Sequence, residues 1–251
     1  MKSLIRKLIP HFLLERYRRF MRIRIQSRNR HKTVEEVFTE IYEKNMWGGP
    51  QGEFFSGPGS TDEPIVSAYI SMVSEKASGE GFLGLAFVDL GCGDFLVGRQ
   101  LLPLCSSYIG VDIVKPLIYR NQQMYSNATT RFMHLDITDN ELPDGDVCFV
   151  RQVFQHLSNQ QVAAVLQKLK KYTWVFITEH YPTDNDAIKP NRDKVHGGDV
   201  RVFENSGVYL SKPPFELPMQ TLRVVLEVPG TGLGKGIDPG VIRTFLYKHG
   251  G

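Results

Sequence analysis

Between about residues 85 and 180 the hydrophobic positions alternate between two kinds of run. Short unbroken apolar stretches, bounded by glycine or polar residues, predict buried strands at 85–89, 108–113, 131–137, 146–153 and 174–179. Longer stretches, with apolar residues three and four apart, predict helices at 95–105, 115–126 and 159–172, the last opened by Ser158 as N-cap. Strand and helix in alternation predict a parallel sheet with right-handed crossovers and helices on both faces. The rhythm stops after residue 182. Residues 182–218 are rich in Pro, Gly, Asn and Asp without a helical period. Strands at 222–228 and 241–248 follow, joined by the glycine-rich turn 229–240. A connection of that length without helical pattern favours a hairpin, hence an antiparallel last strand.

Ahead of this core, helices at 34–44 and 63–76 flank a loop dense in glycine and proline, so residues 33–80 read as an N-terminal helical cap. Residues 1–32 stand apart. Leu4, Ile5, Leu8, Ile9, Phe12 and Leu13 recur at helical spacing, with Pro10 starting or kinking a helix; Tyr17, Phe20 and Met21 then alternate with Arg16, Arg18, Arg19 and Arg22. This segment holds eleven Lys/Arg against the single acid Glu15, a balance of +10 in a chain whose total is +3, so the remainder carries −7. A basic segment joined to an acidic body predicts a partner of its own. Arginines interleaved with leucine and aromatic residues favour the inner surface of an anionic membrane. Nucleic acid is not expected, since no nucleic-acid module follows. The plain alternative is a helix packed on the body with solvated arginines.

Composition bounds the rest. With 251 residues, 41% apolar and 23% charged, the chain suits one α/β domain (81–251) plus its N-terminal additions. No apolar run approaches the roughly 20 residues needed to span a bilayer. The first apolar stretch is broken by Pro10 and His11 and runs into arginines, unlike a signal peptide, which predicts a cytoplasmic protein. Cys92, Cys105 and Cys148 then read as reduced thiols, and their spacing predicts no metal site.

The strongest chemical signal is Val88-Asp89-Leu90-Gly91-Cys92-Gly93-Asp94, where the first strand meets the next helix. Gly91 and Gly93 let the backbone turn sharply and approach a ligand, and a helix starting at Phe95 would aim its free N–H groups there. Twenty-three residues after Asp89, Asp112 closes the second strand beside Ile113, placed to accept from both hydroxyls of a ribose. Asp136 ends the third, placed for an adenine amino group, with Ile137 to cover the ring. Singly each is weak, since a GxG loop can be only a turn and an aspartate only a cap. Together they predict a nucleoside crevice. A nicotinamide fingerprint needs a small third residue where this chain has Leu96, and Asp94 would oppose a pyrophosphate. Both features suit S-adenosyl-L-methionine (SAM), whose ammonium Asp89 can engage.

The run from Asp89 to Glu179 resembles the class I SAM-dependent methyltransferases of the bacterial small-molecule and glycan type. Phe87–Gly93 is similar to their first motif and Ile109–Asp112 to the acidic second. Arg151-Gln152-Val153-Phe154-Gln155-His156-Leu157 is similar to the segment after strand four. The resemblance implies an α/β, Rossmann-like seven-stranded sheet, mostly parallel, and a SAM cofactor; Gln152 joins the cofactor contacts on its account. Asn45–Gly49 with Ser56–Ser60 resembles loops preceding such cores, which places Trp47 and Gly57 near SAM: Trp47 by attraction of a sulfonium to its ring, the Gly57 and Gly59 amides toward the methionine carboxylate. Trp47 in a local core and glycines that only turn are the bland readings.

The expected reaction is transfer of a methyl group, O-methylation of a small molecule, glycan or lipid-linked acceptor. His156, then His180 and Glu179, are the candidate bases at the ends of strands four and five. Residues 182–218 are the expected substrate lid. A nicotinamide-dependent oxidoreductase and a SAM-binding protein without turnover are the alternatives.

Overall fold

The computed structural model describes residues 11–50, 52–231 and 239–249. The expected helix over Leu4, Ile5, Leu8 and Ile9 and most of the 229–240 turn lie outside the described residues. Among the described residues seven strands form one sheet: β1 (Ala86–Leu90), β2 (Ser107–Asp112), β3 (Thr130–His134), β4 (Val147–Arg151), β5 (Trp174–Tyr181), β6 (Leu222–Pro229) and β7 (Val241–Lys248). Their order is β3-β2-β1-β4-β5-β7-β6. Neighbours from β3 through β5 pair in parallel, and β7 runs antiparallel to both β5 and β6. This is the parallel sheet the alternating pattern predicted, with its reversed final hairpin, and the Rossmann-like seven-stranded sheet the resemblance implied.

Alternation along each strand sends side chains to opposite faces. Val88, Leu90, Cys148, Val150, Val175 and Ile177 build one apolar layer. Phe87, Phe149 and Phe176 build the other, in a row with ring centroids 5.1 and 5.2 Å apart. Helix α1 spans His11–Asn29, α2 Val34–Glu43, α3 Glu63–Glu80, α4 Lys115–Tyr125 and α5 Asn159–Lys168. Apolar stripes of α2 and α5 cover the first layer, and Val66, Tyr69, Met72, Val73 and Ala77 of α3 cover the second. Capping boxes start α2 (Thr33 with Glu36) and α5 (Ser158 with Gln161). Gly81 ends α3 at φ 80°, a conformation that costs glycine little.

One expected helix is absent. Residues 95–105 hold no α-helix; turns lead into a 3-10 segment at Gly98–Leu104. Phe95 sits at φ 66° and Pro103 interrupts the segment, so an i to i−4 ladder cannot run through it. β3 also stops at His134, three residues short of the expected end, and leaves Asp136 on a turn. Among the described residues no helix is long and apolar enough to cross a membrane.

Candidate active site

The strand order reverses between β1 and β4, and the carboxyl ends of β1, β2 and β4 open into one cleft there, as parallel sheets do at a switch point. The cleft is walled by the N-terminal cap on one side and by residues 135–138 and 151–157 on the other. Asp89, Gly91, Gly93, Asp112, Ile113, Asp136, Ile137, Gln152, Trp47 and His156 all line it.

The glycine loop is clamped from below. The Gly91 and Cys92 amides both donate to Val111 O at 2.8 and 2.9 Å. The Gly93 amide donates to one Asp112 oxygen and the Val114 amide to the other, each at 3.0 Å. Asn121 Nδ2 donates to Gly93 O at 2.8 Å. Gly91 has φ 80°, and a Cβ there would run into the side chain of Val153. The loop is therefore held open by its own lack of side chains. Asp94, expected only to repel a pyrophosphate, ties the loop to the cap: it accepts from the Ser56 amide at 2.9 Å, while its own amide donates to Ser56 Oγ at 2.7 Å. Tyr42 OH shares that hydroxyl at 2.9 Å.

The carboxylates differ in setting. Asp89 is buried and accepts from Tyr108 OH at 2.5 Å; burial pushes its carboxyl up to about 6, against Tyr108 and nearby Arg151, which lower it. Burial also raises Asp112, and the amides of Val114, Gly93 and Ile113 pull the other way. Asp136 accepts from the amide and hydroxyl of Thr138 at 2.8 and 2.7 Å.

Two cavity-wall residues carry polar atoms with no partner among the described residues. Gln152 adopts φ 56°, a strained conformation for a side-chain-bearing residue, and its buried Nε2 has no hydrogen-bond partner. Arg151 donates to Gly59 O at 2.6 Å and lies 5.2 Å over the Tyr69 ring, yet its buried Nε is unmatched. Buried donors left unpaired cost stability unless a ligand satisfies them. Sequence reasoning passed over Arg151, Ser56 and Tyr69. For Arg151 a signal existed: a cation ending the otherwise apolar run of β4.

His156 closes one end of the cleft, 5.4 Å from the Trp47 ring. Its Nδ1 lies 3.1 Å from Gly197 O, an acceptor, so that nitrogen carries the proton; Nε2 then accepts from Gln155 Nε2 at 3.3 Å. Burial lowers His156 to about 3, followed by the neighbouring Lys194 charge, so the imidazole is neutral. Gly197 and Gly198 belong to the strap after β5, and Trp47 Nε1 donates to Gly198 O at 3.3 Å. The strap is pinned from within. Buried Lys194 donates to the carbonyls of Gln155, Gly197 and Asp199, and Arg201 to those of Leu157 and Arg192.

Three expected site residues stand outside the cleft lining. The Glu179 carboxylate sits behind the wall and accepts from the amides of Val153, Phe154 and Gln155 at 3.2, 2.8 and 2.9 Å, while burial pushes it up to about 8. His180 Nε2 lies 2.5 Å from Pro239 O beside the final hairpin. Gly57, at φ 92°, opens the 3-10 turn Pro58–Ser60. No cluster of three or more His, Cys, Asp or Glu capable of holding a metal occurs among the described residues.

Comparison with known proteins bears on the domain and the fold. Residues 88–173 match a family model described as a methyltransferase domain. An uncharacterised methyltransferase of Mycobacterium tuberculosis is 32% identical over 78 residues, 30% of this chain and 40% of that protein. The aligned region thus spans less than half the length of the curated relatives the chain matches. Among solved structures, a SAM-dependent methyltransferase of Leishmania major superposes with a TM-score of 0.56 at 12% identity, covering 89% of each chain. Magnesium protoporphyrin IX methyltransferase of Synechocystis PCC 6803, with S-adenosylhomocysteine (SAH) bound, gives 0.53 at 13% identity, covering 87% of this chain and 100% of the other. At these identities the likeness establishes the fold.

Proposed function

We propose, from the premise that residues 88–173 are a class I methyltransferase domain, that the chain binds SAM in the cleft and transfers its methyl group to a hydroxyl acceptor. One observation carries the cofactor reading: the ends of β1 and β2 and the turn after β3 bring the Asp89–Gly93 loop, Asp112 with Ile113, and Asp136 with Ile137 around a single cavity. The donor set fits SAM. Asp112 has lone pairs left for a ribose edge, Ile113 and Ile137 are apolar covers for a purine, and Asp89 is an acid for an ammonium. The unmatched Nε of Arg151 and Nε2 of Gln152 are donors for a carboxylate.

SAM supplies a methyl carbon already activated by a positive sulfur. The chain's own residues have to align, exclude water and receive a proton. Tyr42, Trp47 and Phe38 of the cap give the cleft an aromatic wall suited to a cation. His156 presents a fixed tautomer whose Nε2 can exchange the Gln155 amide for an acceptor hydroxyl. A base this weak suffices, because the hydroxyl becomes strongly acidic only as the new carbon–oxygen bond forms. Glu179 serves best as the anchor of the 152–157 wall and His180 as a support of the hairpin.

Residues 182–218 act as the acceptor lid, and the acceptor is a small molecule, glycan or lipid-linked precursor. Contact with an anionic membrane through residues 1–32 belongs to the same reading. An acceptor screen with methyl-labelled SAM tests it. Label should pass to hydroxyl compounds and fall at least tenfold in His156→Ala, roughly the contribution of a positioned proton acceptor. SAM binding without transfer to any class would leave a binding protein.

A further inference from the structure

Helix α1 has two faces that do different things. Residues 22, 26 and 29 follow one helical row and turn inward. Arg22 lies 5.7 Å from the Phe203 ring, Gln26 faces the strap, and Asn29 Nδ2 donates to His196 O at 3.1 Å with Asn29 almost fully buried. The row 13, 17, 20 and 24 starts two residues out of phase, about 200° around the helix at about 100° per residue, and therefore points away from the body. It is not a polar surface. Leu13, Tyr17 and Phe20 of this row are 45, 62 and 59% exposed, and Ile23, on the row's flank about 100° from Arg22, is 58% exposed. Arg24 belongs to this row, Arg16 borders it and Arg19 stands on the flank toward Arg22, and all three are exposed. Over His11–Asn29 the sequence carries six arginines and one acid. Four large apolar side chains on an exposed, strongly basic helix ask for a surface that is apolar within and negative at its rim.

We propose that α1 docks on an anionic lipid bilayer through Leu13, Tyr17, Phe20 and Ile23, with Arg16, Arg19 and Arg24 at the headgroups, while its inner face holds the strap that closes the methyl-transfer cleft. The strap is continuous with that cleft, since Gly197 meets His156 and Gly198 meets Trp47. The outward row Leu13, Tyr17 and Phe20 and the strap that roofs the site thus meet different sides of one helix, with Ile23 and Arg19 on the flank between. The inference rests on the methyl-transfer reading for its consequence, that the acceptor is an amphiphile reached at the bilayer surface.

The test is sedimentation of the full chain with vesicles of phosphatidylcholine alone and of phosphatidylcholine and phosphatidylglycerol in equal parts, with SAM affinity measured in parallel. Wild type should pellet with the mixed vesicles, hardly with the neutral ones, and less as salt is raised. The triple variant Tyr17→Ser, Phe20→Ser, Ile23→Ser should partition about tenfold more weakly, as should Arg16→Glu, Arg19→Glu, Arg24→Glu. Both should keep the wild-type melting temperature and SAM affinity, because these side chains are exposed and none of them lines the cleft. The proposal is overturned if wild type stays in the supernatant with both vesicles, or if the serine variant pellets unchanged. It is also overturned if the serine variant instead dissociates a dimer that binds no lipid, or if the glutamate variant loses duplex DNA and wild type ignores vesicles. Vesicle binding without SAM binding would leave the docking intact and remove the methyl-transfer reading.

Discussion

Asp89 and Arg151 both line the cleft, carry opposite charges that act on each other, and share no hydrogen bond among those described. On the proposed reading such a pair would hold a zwitterion, the carboxylate taking an ammonium and the guanidinium a carboxylate. Two expectations follow at this scale. Because burial raises Asp89 to about 6 and a bound ammonium favours its ionised form, SAM affinity should be highest above pH 6 and fall roughly tenfold per unit well below it. Titration calorimetry across pH 5–8 should show this fall in wild type and a flat profile in Asp89→Asn. In the unliganded chain the sign differs. The folded state keeps a proton between about pH 4 and 6 that the unfolded state releases, so this group's contribution to stability declines as pH rises through that window. Arg151→Met should weaken SAM about tenfold or more while leaving 5′-methylthioadenosine, which has no amino-acid end, nearly unaffected. Equal losses for both ligands would assign Arg151 to the fold alone.

At the scale of elements, the glycine loop and the 151–157 wall are one fitted pair. Gly91→Ala meets both a left-handed backbone and the Val153 side chain, which together cost about 2–4 kcal/mol. Thermal melting should drop by several degrees, and SAM affinity should fall with it. The double variant Gly91→Ala, Val153→Ala should recover the packing part and not the backbone part. Recovery to wild type would mean that the φ of 80° carries no cost. Elements were also where reading from sequence was uneven. The five core strands and the terminal hairpin were legible because a buried strand must be apolar along its length and a turn must be rich in glycine. The helix expected over 95–105 was misread: Pro103 was a visible warning against it, whereas the left-handed turn at Phe95, whose ring packs on Tyr108 and Phe132, has no local signal.

For the whole molecule the same contrast holds. Topology fixes where the cofactor end of the site must be, at the reversal of strand order, and Asp89, Gly91, Gly93, Asp112 and Asp136 could be found from strand ends alone. The acceptor end, as proposed, would be assembled from the cap, the strap and the 151–157 wall. Its key contacts join residues 41 and 151 positions apart, His156 to Gly197 and Trp47 to Gly198, so no local pattern announces them. Charge tells a further part, since only the three-dimensional phase of α1 separates its arginines at the strap from those facing outward.

The central claim, that this cleft is built for SAM, is tested most directly by titration calorimetry of the full chain with SAH, with NAD and NADP as comparisons. The expected result is one site per chain for SAH, no heat with either dinucleotide, and a loss of about tenfold or more in Asp112→Ala, whose two oxygens accept from the Gly93 and Val114 amides in the cleft wall. Tighter binding of a dinucleotide, or an Asp112→Ala chain that melts normally and binds SAH as well as wild type, would contradict it.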